Sequence, residues 1–191
     1  MSDDTTAPLK VGGLELLADS FLWQGSVEYP YSAVTNLRRY ARRTSVNLIP
    51  VSHSVQIGIT IGGSLELQVG NSGLPFTGGK VEKAFQALAN STFQYRALGY
   101  LEQLDEQGYF EYGGAAFDRD GDVRCSKLTA NMKTAGFLWE PFELLIKPAG
   151  AGLFGKKLTI STLVDPDVFV YLIHQLYRIR LPHPNGGHYF S

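Results

Sequence analysis

Leu14-Glu15-Leu16-Leu17-Ala18-Asp19-Ser20-Phe21-Leu22-Trp23-Gln24-Gly25-Ser26-Val27 has a counterpart further along the chain in Phe110-Glu111-Tyr112-Gly113-Gly114-Ala115-Ala116-Phe117-Asp118-Arg119-Asp120-Gly121-Asp122-Val123. At one constant offset Leu14 aligns with Phe110, Glu15 with Glu111, Leu16 with Tyr112, Phe21 with Phe117, Gly25 with Gly121 and Val27 with Val123. Recurrence at a fixed spacing marks a duplicated unit. The stretch therefore predicts two similar modules, each opening on a hairpin.

Working outward from the first copy, Leu14, Leu16 and Phe21 to Trp23 lead into a Gln24-Gly25 turn, and Ser26 to Tyr31 returns. Turn glycine between β-branched and aromatic runs is a hairpin pattern. The polar stretch Thr35 to Thr44 follows, then the apolar runs Val46 to Val51, Val55 to Ile61 and Leu65 to Val69. Alternation of Leu65, Leu67 and Val69 with Glu66 and Gln68 has the period of a strand, and Gly62-Gly63 supplies a reversal. After Gly78-Gly79 the period changes: Val81, Ala84, Phe85 and Leu88 fall on one helical face.

The second copy repeats the order. Tyr109 to Tyr112 and Ala115 to Phe117 approach the Asp120-Gly121 turn, and Asp122 to Lys127 leaves it. Gly136 to Trp139, Phe142 to Ile146 and Lys157 to Leu163 are further strand material, with Pro141 predicting a bend or an edge. Asp165-Pro166 predicts a helix start, with Asp capping free amides and Pro in the first turn. Phe169, Leu172, Ile173 and Leu176 form that helix's apolar stripe. Between the copies, Arg96 to Glu106 reads as helical, either continuing the first closing helix or following a break at Asn90-Ser91-Thr92.

Strands closed by one amphipathic helix, twice over, resemble the pleckstrin-homology-like fold of bacterial-type tandem proteins. The resemblance rests on the hairpins at Gly25 and Gly121, the alternating Leu65 to Val69 and Lys157 to Leu163, and the helices at Val81 and Phe169. It implies a mostly β chain with helices (α+β): two partly open β-barrels, each closed by a C-terminal helix. The expected modules are Pro8–Glu106 and Gln107–Leu181, with a turn-rich tail from Pro182 to Ser191. It also implies a binding module, because members of this superfold recognise phosphoinositides, peptides and proteins. The phosphoinositide site is where the chain departs from the pattern. Trp23-Gln24-Gly25-Ser26 carries no base and Asp118 to Asp122 is mostly acidic.

Composition narrows the partners. With 191 residues, 44% of them hydrophobic, the chain has material for one sizeable core or two small ones. Seventeen basic and eighteen acidic residues give a formal charge of -1, so no global field favours nucleic acid. The opening Met1 to Lys10 carries Asp3 and Asp4 ahead of any apolar run, unlike a secretion signal, and Cys125 stands alone. A reducing, cytoplasmic setting is expected, with the Asn90-Ser91-Thr92 sequon unmodified.

Four tempting motifs are weighed against plainer roles. Gly150 to Lys157 meets the GxGxxG spacing, but phosphate cradling needs a helix next, and Leu158 to Ser161 alternates like a strand. Asp118, Asp120 and Asp122 could gather calcium, yet Gly121 comes too early for an EF-hand loop and Thr129 stands where its last ligand belongs. Cys125 has no histidine nearby in sequence, and His53, His174, His183 and His188 lack metal spacing. Arg38, Arg39, Arg42 and Arg43 form the dense basic cluster, and on a helix they would make one broad cationic face.

The sequence thus predicts no catalytic residues, metal or cofactor, and a non-catalytic adaptor that binds a protein or peptide. Arg38, Arg39, Arg42 and Arg43 are the candidate contact, with sheet edges and helix-side grooves as docking surfaces. Anionic lipid held by the same arginines is the first alternative, and an enzyme with a cleft between modules is the second.

Overall fold

The computed structural model describes residues 8–46, 49–73, 79–140, 142–151 and 155–181, with the backbone alone described along 41–46, 49–53 and 71–73. Among these residues the chain is mostly β with two α-helices, arranged as four antiparallel sheets, none of them closed into a barrel. Every sheet is built from strands consecutive in sequence. Two compact units divide between Tyr95 and Arg96.

The first unit opens with a four-stranded meander of β1 (Lys10–Val11), β2 (Leu14–Leu16), β3 (Ser20–Trp23) and β4 (Val27–Pro30). A 3-10 turn at Tyr31–Ala33 leads into a three-stranded meander of β5 (Val34–Val46), β6 (Ile49–Ile61) and β7 (Leu65–Gly73). Gly62 and Gly63, at φ 56° and 76°, make the β6–β7 reversal in the left-handed conformation such a tight turn requires. Leu14, Phe21, Leu37, Ile57, Ile59 and Val69 turn inward from these sheets, and Val81, Ala84 and Leu88 of α1 (Gly79–Gln107) join the same core.

The second unit repeats the layout. β8 (Tyr109–Tyr112), β9 (Ala115–Asp118), β10 (Asp122–Cys125) and β11 (Leu128–Asn131) form a four-stranded sheet. β12 (Gly136–Glu140), β13 (Glu143–Lys147) and β14 (Leu158–Ser161) form a three-stranded one, and α2 (Pro166–Tyr177) ends the unit. Its core is more aromatic. Tyr112 stacks on Phe169 at a centroid distance of 4.0 Å, and Phe110 stacks on Phe117 at 5.2 Å. The aligned positions Leu14 and Phe110, Leu16 and Tyr112, and Phe21 and Phe117 are buried in both units, but Val27 is 45% exposed while Val123 is fully buried.

Several expectations are corrected. Thr35 to Thr44 belongs to the 13-residue strand β5 and not to a polar connection or a helix, because β5 pairs along one side with β6 from Val34 to Val46. A bulge between Val34 and Asn36 shifts the alternation so that Val34 and Leu37 both reach the core. Val46 ends β5, whereas Ile49 to Val51 and Val55 to Ile61 are parts of the single strand β6 (Ile49–Ile61), which continues through Ser52-His53-Ser54 with β5 partners for all three and β7 partners for His53 and Ser54. β1 and β11 had no clear periodicity to announce them, at two and four residues. No break occurs at Asn90-Ser91-Thr92, where α1 runs on and the buried Thr92 hydroxyl donates to the Leu88 carbonyl at 2.7 Å. The bend at Pro141 and the tail from Pro182 lie outside the described residues.

Gly113, at φ 59°, lies where the β8–β9 turn meets β14, and its carbonyl accepts the Ser161 amide at 3.1 Å. A methyl group there would overlap the Ser161 carbonyl oxygen and the Ile160 side chain. Gly113→Ala is therefore expected to destabilise the protein by about 3 kcal/mol or more. Chemical denaturation measures this, with Gly114→Ala as the control that carries left-handed backbone strain, at φ 87°, without the overlap, since no atom lies within 4 Å of its added methyl.

Candidate functional site

The basic cluster lies on the edge strand β5, whose neighbour among the described residues is β6 alone. Strand alternation separates Arg38 from Arg39. Arg39 shares the face of the buried Leu37 and reaches the first turn of α1, where its Nε–H is shared between both Glu82 carboxylate oxygens at 3.0 Å each. Arg38 lies on the outer face beside the exposed Tyr40, and its guanidinium stands 3.9 Å from Glu66 of β7.

That reach spans the intervening strand because Gly58 lies between. A Cβ on Gly58 would stand 3.1 Å from Glu66 Oε1 and 3.4 Å from Arg38 Cβ. Contact at 3.9 Å is loose, and Arg38 Nε has no hydrogen-bond partner among the described residues. Both ion pairs are about 40% exposed, a setting in which such pairs contribute about 0–1 kcal/mol and exchange readily. Arg42 and Arg43 continue β5 opposite Ser54 and His53, with their side chains outside the described residues. The structure thus strings the four arginines along a strand edge and does not gather them on a helical face.

A second charged group is one the sequence reading missed. Arg96 donates to Asp165 at 2.6 Å and to both carboxylate oxygens of Asp167 at 3.2 and 2.9 Å, and the Tyr100 hydroxyl donates to Asp165 at 3.3 Å. The side chains of Arg96 and Asp165 are 1% and 0% exposed. Burial alone would lower the Arg96 pKa, but the hydrogen bond to Asp167 and the two negative charges outweigh it and raise the value. Desolvation, then the Asp165 charge, push the Tyr100 hydroxyl far up.

Asp165 does begin α2, yet its side chain makes no capping bond and its backbone is left-handed at φ 44°. The expected cap is corrected: the carboxylate serves a buried guanidinium from which it is far separated in sequence. Only the lone arginine of α1, placed among the apolar and aromatic residues Phe93, Tyr95, Ala97 and Leu98, could have hinted at this. Sealed from solvent, Arg96 and Asp165 clasp α1 to the start of α2 and offer no access to a substrate.

The remaining motifs resolve into turns. Asp118 accepts the amides of Asp120 and Asp122 at 3.0 and 2.9 Å, closing the β9–β10 turn, while Asp122 accepts from Asn131 at 2.7 Å. Among the described residues no three acidic, histidine or cysteine side chains are grouped to hold a metal ion. The described part of Gly150 to Lys157 passes into strand β14 and not into a helix, with Gly152 to Phe154 outside the described residues. Cys125 is half-buried at the end of β10 and His174 half-buried in α2; the His53 side chain, His183 and His188 lie outside the described residues. No helix among the described residues is long and apolar enough to cross a membrane.

Compared with known protein families, curated proteins and solved structures, the chain matches none.

Two predictions follow from the buried groups. Arg96→Met leaves Asp165 as an uncompensated buried charge and is expected to cost about 3–5 kcal/mol in denaturant unfolding. Adding Asp165→Asn to that variant should recover part of the loss. Tyr31, Tyr100 and Tyr177 are all raised above their ordinary 10.0, mainly by burial. Each holds its proton in the folded state after the unfolded chain would release it. Their stabilisation is complete below pH 10.0 and is lost as pH rises beyond it. A stability profile between neutral pH and strong alkali should fall there, less steeply in Tyr100→Phe.

Proposed function

We propose that the chain is a non-catalytic, cytoplasmic adaptor made of two pleckstrin-homology-like modules, arisen by duplication, that captures an acidic segment of a partner protein along β5. Support for the modules comes from the order of four-stranded sheet, three-stranded sheet and helix, which occurs twice. Support for the site comes from one observation above the others: a 13-residue strand whose strand neighbour among the described residues is β6 alone carries all four clustered arginines.

An open strand edge presents unpaired amides and carbonyls, and an extended peptide can add to it as a further strand. Charge then selects among candidates. Basic side chains on an edge repel another basic strand, the usual protection against self-pairing. They attract an acidic one, so the same residues exclude a second β5 and admit the partner. Arg38 and Arg39 are held by exposed carboxylates in the free protein, and a ligand carboxylate can replace Glu66 or Glu82 at small cost.

The test is fluorescence anisotropy with a labelled extended peptide of alternating Glu and Val, and with its Lys-containing counterpart. The acidic peptide should bind and weaken as salt rises, while the basic one should not. Replacing Arg38, Arg39, Arg42 and Arg43 with Glu should abolish the binding and leave the circular dichroism spectrum unchanged. Equal binding of both peptides, or binding that survives the charge reversal, overturns the proposal. Salt-sensitive retention on phosphatidylserine vesicles without peptide binding would assign these arginines to lipid headgroups instead.

A further inference from the structure

β12 is the other kind of edge. Among the described residues it pairs with β13 alone, and Gly136-Phe137-Leu138-Trp139-Glu140 contains no Lys, Arg or Pro to discourage a further strand. Leu138 is 51% exposed at its centre, and Phe137 and Trp139 are half-buried on the core-facing side. We propose that β12 is the contact through which two copies of this chain associate about a two-fold axis.

The argument is one of self-complementarity. Antiparallel pairing of β12 with its own copy about Leu138 sets Leu138 against Leu138 on the outer face. Phe137 then meets the partner's Trp139 on the core side, and Gly136 meets the partner's Glu140. Two three-stranded sheets become one of six, with apolar and aromatic cross-strand pairs at the join.

Charge selects the same register. Glu140 and Glu143 are directly paired across the β12–β13 hairpin and both are exposed, an unfavourable like-charge pair with no ion partner among the described residues. Lys147 pairs with Gly136, has no ion partner among the described residues, and has no side chain beside it on β12. Across the two-fold, the partner's Glu140 falls on the far side of Gly136, so Lys147 extends over the glycine to meet it. Arg38 already reaches Glu66 over Gly58 in this way between β5 and β7. Each copy thereby supplies the cation that the other's Glu140 lacks.

Sedimentation over about 1 to 300 µM should show a reversible shift from 21.0 kDa to twice that mass, in the weak range expected of a small interface. Leu138→Lys should abolish the shift. Glu140→Lys relieves the clash with Glu143 within the monomer but faces Lys147 of the other copy, so it should weaken association about tenfold while leaving the fold intact. Lys147→Glu should weaken it similarly, and Glu140→Lys with Lys147→Glu together should restore it. In a Cys125→Ser background, Leu138→Cys should cross-link copies under mild oxidation, since directly opposed strand residues lie within disulfide reach. A mass fixed at 21.0 kDa at every concentration, association unchanged in Leu138→Lys, or no rescue by the charge exchange each overturns the proposal.

Discussion

A guanidinium sealed from water has to be answered by carboxylates, and in this protein that requirement links the interior of one helix to the beginning of the other. Arg96 sits on α1 at the opening of the second unit, and Asp165 immediately precedes α2. Desolvating the cation without its anions would cost several kcal/mol, so the two helical segments dock in the one arrangement that brings Asp165 and Asp167 to Arg96. The left-handed backbone of Asp165 is the local expense of that arrangement. From the docked helix Phe169 stacks on Tyr112, and Tyr112 meets Tyr100, whose hydroxyl returns to Asp165. Polar clasp and aromatic core therefore position one another.

The two three-stranded sheets differ in the chemistry of their edges. Among the described residues both end in a strand that pairs on one side only, and both have an exposed outer face beside a buried inner one. β5 carries cations along its length, while β12 is apolar with its one charge at an end. By electrostatics alone the first edge rejects its own kind, and the second has nothing that does. Glycine sharpens the difference, because Gly58 and Gly136 each leave a side-chain gap across which a long cation can reach past a neighbouring strand.

Much of the architecture was legible in the chain. Alternation from Leu65 to Val69, the Gly62-Gly63 reversal, the stripe of Val81, Ala84 and Leu88, and the Asp165-Pro166 start all appear where their patterns placed them. The arginine segment was harder to read. Arg38-Arg39-Tyr40-Ala41-Arg42-Arg43 has no apolar alternation, since an edge strand beside a helix takes its order from pairing to β6. Short strands such as β1 and β11 escaped for a related reason: a few residues offer no period to detect.

By itself the sequence determined which segments alternate, where the chain reverses and which helical faces are apolar, because those properties arise among residues a few positions apart. Tertiary structure decided the roles that depend on competition between distant partners. Asp165 had both a local use as a helix cap and a remote one as counter-ion to Arg96, and burial settled the choice, since an unpaired guanidinium in the core costs more than an uncapped amide at a helix end. Which strands lie at the edges follows from where one run of consecutive strands stops and the next sheet begins, a division that no local pattern encodes.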